Sequence, residues 1–203
     1  SWADNPLRYN KDDWARGLSY AGYSQKIKLE SFSCIENKLS PWSILQLPIG
    51  GEIIIPLYGK KSLVRRILGV NVEGAVKFDD GKIQIKSDGK EDCFVSIPPQ
   101  MSTGRIGYVS QAGKDRTLVV RNFNVNPSGE YLNCIIGASL KPGFSFQCRV
   151  VSDGRFSHVE LHTHLPCNGT ISVSGTLQTW CFRGNKRNIL NASVLLLGCQ
   201  SLI

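Results

Sequence analysis

Apolar and polar residues alternate over much of the chain. Val70, Val72, Val76 and Phe78 are separated by Asn71, Glu73, Ala75 and Lys77, and this period of two turns one face of a strand toward a core. Asp79-Asp80-Gly81 then reads as a tight turn. Ile83 and Ile85 resume the alternation within Lys82 to Lys86, which predicts a hairpin. The same reading predicts strands over Gln25 to Cys34, Gly51 to Leu57, Cys93 to Ile97, Arg105 to Ser110, Thr117 to Val125, Tyr131 to Ile136, Phe144 to Val151, Ser157 to Leu165, Thr170 to Ser174, Thr176 to Phe182 and Ala192 to Leu197. Roughly ten short strands divided by Gly, Pro, Asn and Asp predict an all-β sandwich or barrel. One segment departs from this pattern. Lys60 to Leu68 places Leu63, Val64, Ile67 and Leu68 on one side of a short helix, with Lys61, Arg65 and Arg66 off that side. The first two dozen residues are irregular yet aromatic, which predicts an N-terminal arm over 1–24 ahead of a single domain over 25–203.

Composition narrows the class. With 203 residues and 41% hydrophobic content, the chain can bury a core and is expected to form one compact domain. Its apolar runs, such as Ile53 to Ile55 and Val194 to Leu197, fall far short of the roughly 20 residues a spanning helix needs, so a soluble protein with no membrane partner is expected. The 24 lysines and arginines exceed the 16 acids, for a net charge of +8. Such an excess favours a polyanionic partner without fixing any sequence specificity. Two clusters carry part of it: Lys60, Lys61, Arg65 and Arg66, and then Arg183, Lys186 and Arg187. Either cluster could meet phosphates, although charged turns also serve simply to keep a β-rich protein soluble. The seven cysteines form no CxxC pair, which predicts mostly buried free thiols in a reducing compartment.

Little in the sequence points to catalysis. There is no GxSxG elbow, no Walker sequence and no dinucleotide fingerprint. The three histidines share one predicted strand, where His158, Glu160, His162 and His164 project to one side and Val159, Leu161 and Leu165 to the other. His162-Thr-His164 is the best metal candidate, because neutral imidazoles two residues apart on a strand can share an ion. It suggests a cupin-like metalloenzyme as an alternative function. The sequence departs from cupins, however, since Leu165, Pro166, Cys167, Asn168 and Gly169 follow the pair where a glutamate is required. A pH-sensitive interface is an intermediate reading of the same cluster. A third alternative is a β-sandwich module for glycans or proteins, with Trp42, Trp180 or Tyr58 as its platform; core packing is the competing role for these rings.

Pro48 to Leu57, the segment Lys60 to Leu68, the strand Ile67-Leu-Gly-Val-Asn-Val-Glu-Gly-Ala-Val-Lys-Phe78 and Lys141-Pro-Gly-Phe-Ser-Phe146 together resemble the jelly-roll coat proteins of picorna-like viruses, particularly plant viruses related to comoviruses, nepoviruses and cheraviruses. The similarity can be laid over about Gln25 to Cys199. It implies a jelly-roll sandwich of eight antiparallel strands with one short helix, released from a polyprotein. The implied function is a capsid protein that assembles with its own copies and other coat-protein domains into an icosahedral shell around single-stranded RNA. Such a protein needs no catalytic residue and no cofactor, and resides in the virion, or in the host cytoplasm during assembly. A start at Ser1 is compatible with cleavage. In this reading Trp2, Tyr9, Trp14 and Tyr20 lie against neighbouring subunits. The RNA contacts remain those suggested by charge: Lys60, Lys61, Arg65, Arg66, Arg183, Lys186 and Arg187.

Overall fold

The computed structural model describes residues 1–31, 40–58, 65–66, 76–79, 81–90, 92–131, 143–153, 157–166 and 172–198. Two antiparallel sheets pack as a sandwich. The larger has seven strands in the order β1 (Ser19–Glu30), β12 (Ser172–Gly184), β9 (Asp115–Phe123), β8 (Arg105–Ala112), β3 (Gly51–Pro56), β6 (Lys82–Lys86) and β5 (Val76–Asp79). The smaller runs β2 (Trp42–Pro48), β11 (His158–His164), β10 (Phe146–Val151) and β7 (Cys93–Ile97), and is extended past β7 by the two-residue β4 (Arg65–Arg66). Two helices complete the described residues: α1 (Asp13–Arg16) and α2 (Lys186–Leu197).

The central strand β3 shows how the layers are built. Ile53 and Ile55 face the space between the sheets, where Ile83, Ile85, Val95, Phe146 and Leu161 meet them. Ile54 points the other way, into a second cluster with Leu118, Val120, Trp180 and Phe182 that α2 covers through Ile189, Ala192 and Leu196. An unbroken isoleucine run is therefore the signature of a strand buried on both faces. Each fully buried Ile or Leu contributes about 1.5–3 kcal/mol relative to exposure.

Several expectations hold and several change. β5 and β6 form the hairpin, with Asp79 opposite Lys82 and Gly81 at φ +71° in the turn, and β7 spans the expected Cys93 to Ile97. The strands expected over Thr170 to Ser174 and Thr176 to Phe182 join in β12 from Ser172 onward, residues 170–171 lying outside the described residues; Gly175 marks a close approach and no break, since a Cβ there would run into the Leu165 side chain. Ala192 to Leu197, read as a strand, is the second half of α2. The side chain of Asn185 accepts from the Asn188 amide at its start, Gly198 closes it in the left-handed region, and Ile189, Ala192, Ser193 and Leu196 make the buried stripe. The segment Trp42–Pro48, assigned no strand from the sequence, is β2.

The helix expected over Lys60 to Leu68 lies mostly outside the described residues; its Arg65 and Arg66 are extended and pair with Ser96 and Val95. Tyr131 is buried without strand geometry, and the rest of the strand expected through Ile136 is likewise outside the described residues. Cys93 and Cys148 are buried free thiols and Cys181 is a half-buried one, while Cys34, Cys134, Cys167 and Cys199 lie outside the described residues. No described helix is long and apolar enough to cross a membrane.

The N-terminal arm expected over 1–24 is tied to its own domain. β1 begins inside it at Ser19, the Ala3 amide donates to Gly22 O at 3.1 Å, the Ser24 amide donates to Ser1 O at 2.8 Å, and Ala3 and Leu7 enter the second cluster. The strand β1 pairs with β12 along its whole length, from Ser19 opposite Arg183 to Glu30 opposite Ser172.

Candidate functional site

The histidines of β11 do share one side of the smaller sheet, but they are not an open polar face. His162 and His164 are both buried. Trp42 on the adjacent strand β2 lies over them, its ring stacked at 5.5 Å from His162 and 5.9 Å from His164. Its Nε1–H donates to His162 Nδ1 at 3.2 Å. An indole can only donate, so Nδ1 must carry the lone pair and Nε2 the hydrogen. That hydrogen points to Glu160 Oε2 at 3.0 Å, while Glu160 Oε1 meets His158 Nε2, also at 3.0 Å. His164 Nε2 lies 3.0 Å from Gln147 Oε1. The orientation of the Gln147 amide is set by its own donation to Ser96 Oγ at 3.2 Å, which makes His164 Nε2 the donor.

These contacts fix the protonation states. Burial lowers the His162 pKa, against the pull of Glu160, and the charge of Arg149 lowers it further. Burial, together with the neighbouring His162, pushes His164 down to about 4. For Glu160, burial acts upward, but bonds from His158 and His162, the charge of His162 and a bond from Gln46 outweigh it, and the carboxyl sits below its ordinary value. With Trp42 on one nitrogen of His162 and Glu160 on the other, neither is left to ligate an ion. Among the described residues no group of three or more His, Cys, Asp or Glu side chains is placed to hold a metal. The arrangement fastens edge strand β2, whose one strand partner among the described residues is β11.

The described residues of the two cationic clusters lie on different elements. Lys60 and Lys61 lie outside the described residues, and Arg65 and Arg66 form β4 at the far edge of the smaller sheet. Arg183 ends β12, exposed, with Nε 3.1 Å from Asp115 Oδ2. Lys186 and Arg187 are exposed in the first turn of α2, which holds no acid. Cations there oppose the helix dipole by about 0.3–1 kcal/mol each.

Of the aromatic candidates, Trp2 and Tyr9 are 87% and 81% exposed. Trp14 and Tyr20 are partly buried against the second cluster, and the Tyr20 hydroxyl donates to Ala3 O at 2.9 Å. Tyr58 and Trp42 are exposed, whereas Trp180, offered as a contact platform, is a core residue. A cleft of about 710 Å³ lies beside Tyr58 and the end of α2. Its one arginine, Arg105, is engaged with Leu196 O at 3.1 Å and Asn122 Oδ1 at 3.3 Å.

The sequence reading passed over Arg121. On β9 it follows Val119 and precedes Phe123, both of which pack between the sheets, so the period of two places a charge in a core-facing register. That was the available signal. Comparison of the chain with protein-family models, with curated proteins and with solved structures gives no match.

Proposed function

We propose that the chain is a shell-forming structural subunit, a viral coat protein whose work is assembly with copies of itself and related domains around single-stranded RNA. The observation that carries this reading is the N-terminal segment. Ala3 and Leu7 anchor it to the body while Trp2 and Tyr9, on the same segment, stand in solvent. Each ring brings roughly 150–250 Å² of surface to a contact, and large apolar groups displayed on an anchored segment mark an interaction face. Symmetry multiplies such modest contacts into a closed shell.

Strand order supports the finer, jelly-roll reading in part. The outermost strands pair first with last, β1 with β12 and β2 with β11, a nested wrapping in the manner of Greek-key sandwiches. The hairpins β8–β9 and β10–β11 each stay within one sheet and are local additions to that wrapping. The exposed cations Arg183, Lys186 and Arg187, and the net charge of +8, suit an RNA partner. The metalloenzyme alternative loses ground, because the His162 nitrogens it needs are already bonded.

Electron microscopy and sedimentation of the native material test the proposal. Closed particles of uniform diameter containing RNA are expected; a chain that stays single at high concentration would overturn it.

A further inference from the structure

Arg121 is the largest fully buried side chain among the described residues, at 1% exposure. Its Nη1 donates to Thr179 Oγ1 at 3.1 Å and to Gln25 Oε1 at 3.4 Å, and its Nη2 to Ser43 Oγ at 2.9 Å and Thr163 Oγ1 at 3.1 Å. All four acceptors are neutral. The Nε–H has no acceptor, and no described carboxylate lies within 4.0 Å of the guanidinium. Arginine keeps its charge in proteins, and a buried cation without a counter-charge is costly even when dipoles surround it.

The position of Arg121 shows how an anion could reach it. Gln25 comes from β1, as does Tyr23, whose hydroxyl is a further hydrogen-bonding neighbour of the guanidinium, and Ser43 comes from β2. Both are outer strands of their sheets among the described residues, so the guanidinium sits just inside the edge where the two sheets end. Gln25 is exposed and Tyr23 is 40% exposed, so one side chain's thickness separates the charge from solvent.

We propose that Arg121 is a carboxylate receptor, entered between β1 and β2 by displacing the Gln25 amide. The shape of the site selects the ligand. The Gln25 side-chain amide is planar, with an sp² oxygen, and already touches Nη1; a carboxylate has the same plane and size and adds the missing negative charge. A carboxylate oxygen in the place of the Gln25 oxygen would take the same Nη1–H in a charge-assisted bond, while the hydroxyls of Ser43, Thr163 and Thr179 keep the other three Nη hydrogens. The carboxylate comes either from a free acid or from an Asp or Glu side chain of a second copy of the chain.

Formate is the probe. Thermal unfolding of dilute protein at pH 7 is followed as formate replaces chloride at constant ionic strength, and then, in chloride alone, as protein concentration is raised with sedimentation recorded in parallel. Wild type should gain stability saturably with formate, the folded-to-unfolded ratio rising about elevenfold at ten times Kd. Gln25→Glu, which supplies the carboxylate from within, should unfold at least as high as formate-saturated wild type and gain nothing from formate, while it keeps any stabilisation that comes from assembly through Trp2 and Tyr9. A part of the wild-type stabilisation by protein concentration that Gln25→Glu lacks assigns the carboxylate to a second copy; a formate response with equal concentration dependence in the two proteins assigns it to a free acid. Arg121→Met should also lose the formate response; if it does not fold, Gln25→Glu still decides. A wild type indifferent to formate whose concentration dependence Gln25→Glu shares, or a Gln25→Glu protein that gains from formate as wild type does, would overturn the proposal.

Discussion

Acidifying the folded protein should weaken it through one buried ring. The His164 pKa stands at about 4 in the folded chain and near 6.5 once unfolded. Below about pH 6.5 the unfolded chain therefore takes up a proton that the folded chain refuses, and stability falls by up to about 1.4 kcal/mol per pH unit until the folded ring titrates. At pH 5 the loss relative to pH 8 comes to about 2 kcal/mol, and it levels near 3 kcal/mol below pH 4. Around the ring stand Trp42 from β2, Gln147 from β10, and His162, Glu160 and His158 on its own strand, with Arg149 beyond. The pKa of His162 is also lowered, so it adds to the loss in the same window. Glu160 behaves oppositely: its depressed carboxyl contributes stability above its unfolded value near 4.5, and that contribution is lost only as the pH falls below it. A reading at pH 5 thus isolates the imidazoles. The assay is urea unfolding at pH 8 and pH 5 for wild type and His164→Gln, since glutamine offers Gln147 a donor and takes no proton. The variant should lose about 2 kcal/mol less than wild type between the two pH values. Equal losses in the two proteins would refute the assignment of a buried neutral ring.

Other perturbations test separate parts of the structure. Phe182→Ala empties a fully buried site beside Tyr20, whose ring lies 5.1 Å away, and should cost about 3–5 kcal/mol in chemical unfolding. Asn185→Ala removes the cap bonded to the Asn188 amide and should cost about 1 kcal/mol, read as a lower unfolding midpoint. Gly143→Ala puts a side chain on a backbone at φ +81° with its Cβ 1.9 Å from Tyr131 O; a loss above about 2 kcal/mol is expected, since left-handed strain and a backbone clash add. Replacing Trp2 and Tyr9 together by serine should leave thermal stability within about 0.5 kcal/mol of wild type, because both rings are exposed; under the proposed function the double variant should also fail to form particles in sedimentation.

The parts of the fold visible in the sequence are those set by local alternation. Ile83 and Ile85 across a Gly81 turn give the hairpin, and Cys93 to Ile97 gives β7, because each strand's own pattern matches its burial. In β2 that pattern is inverted at the start only. Trp42 and Ile44 point outward and Ser43 inward, toward Arg121, while Leu45 and Leu47 face the core, so the first half of the strand reads against its orientation. The end of α2 reads as a strand in the sequence because Val194 to Leu197 is an unbroken apolar run; the helical spacing emerges only when Ile189 and Ala192 are counted with Leu196. For the candidate site, the shared side of His158, Glu160 and His162 followed from the period of two. Their enclosure did not, since Trp42 stands 120 positions from His162 and no local rule pairs them.

The zipper between β1 and β12 has a bearing on how the molecule comes into being. Residues 19–30 wait for residues 172–183, so the longest seam among the described residues closes only after residues 31–171 between them have been made. Contacts so far apart in sequence carry a large loop-closure penalty and place folding in the slow, millisecond-to-second regime of β topologies. Until that seam closes, a twelve-residue strand remains an unpaired edge, and its lysines at 26 and 28 are residues of the kind that discourage edge-to-edge joining.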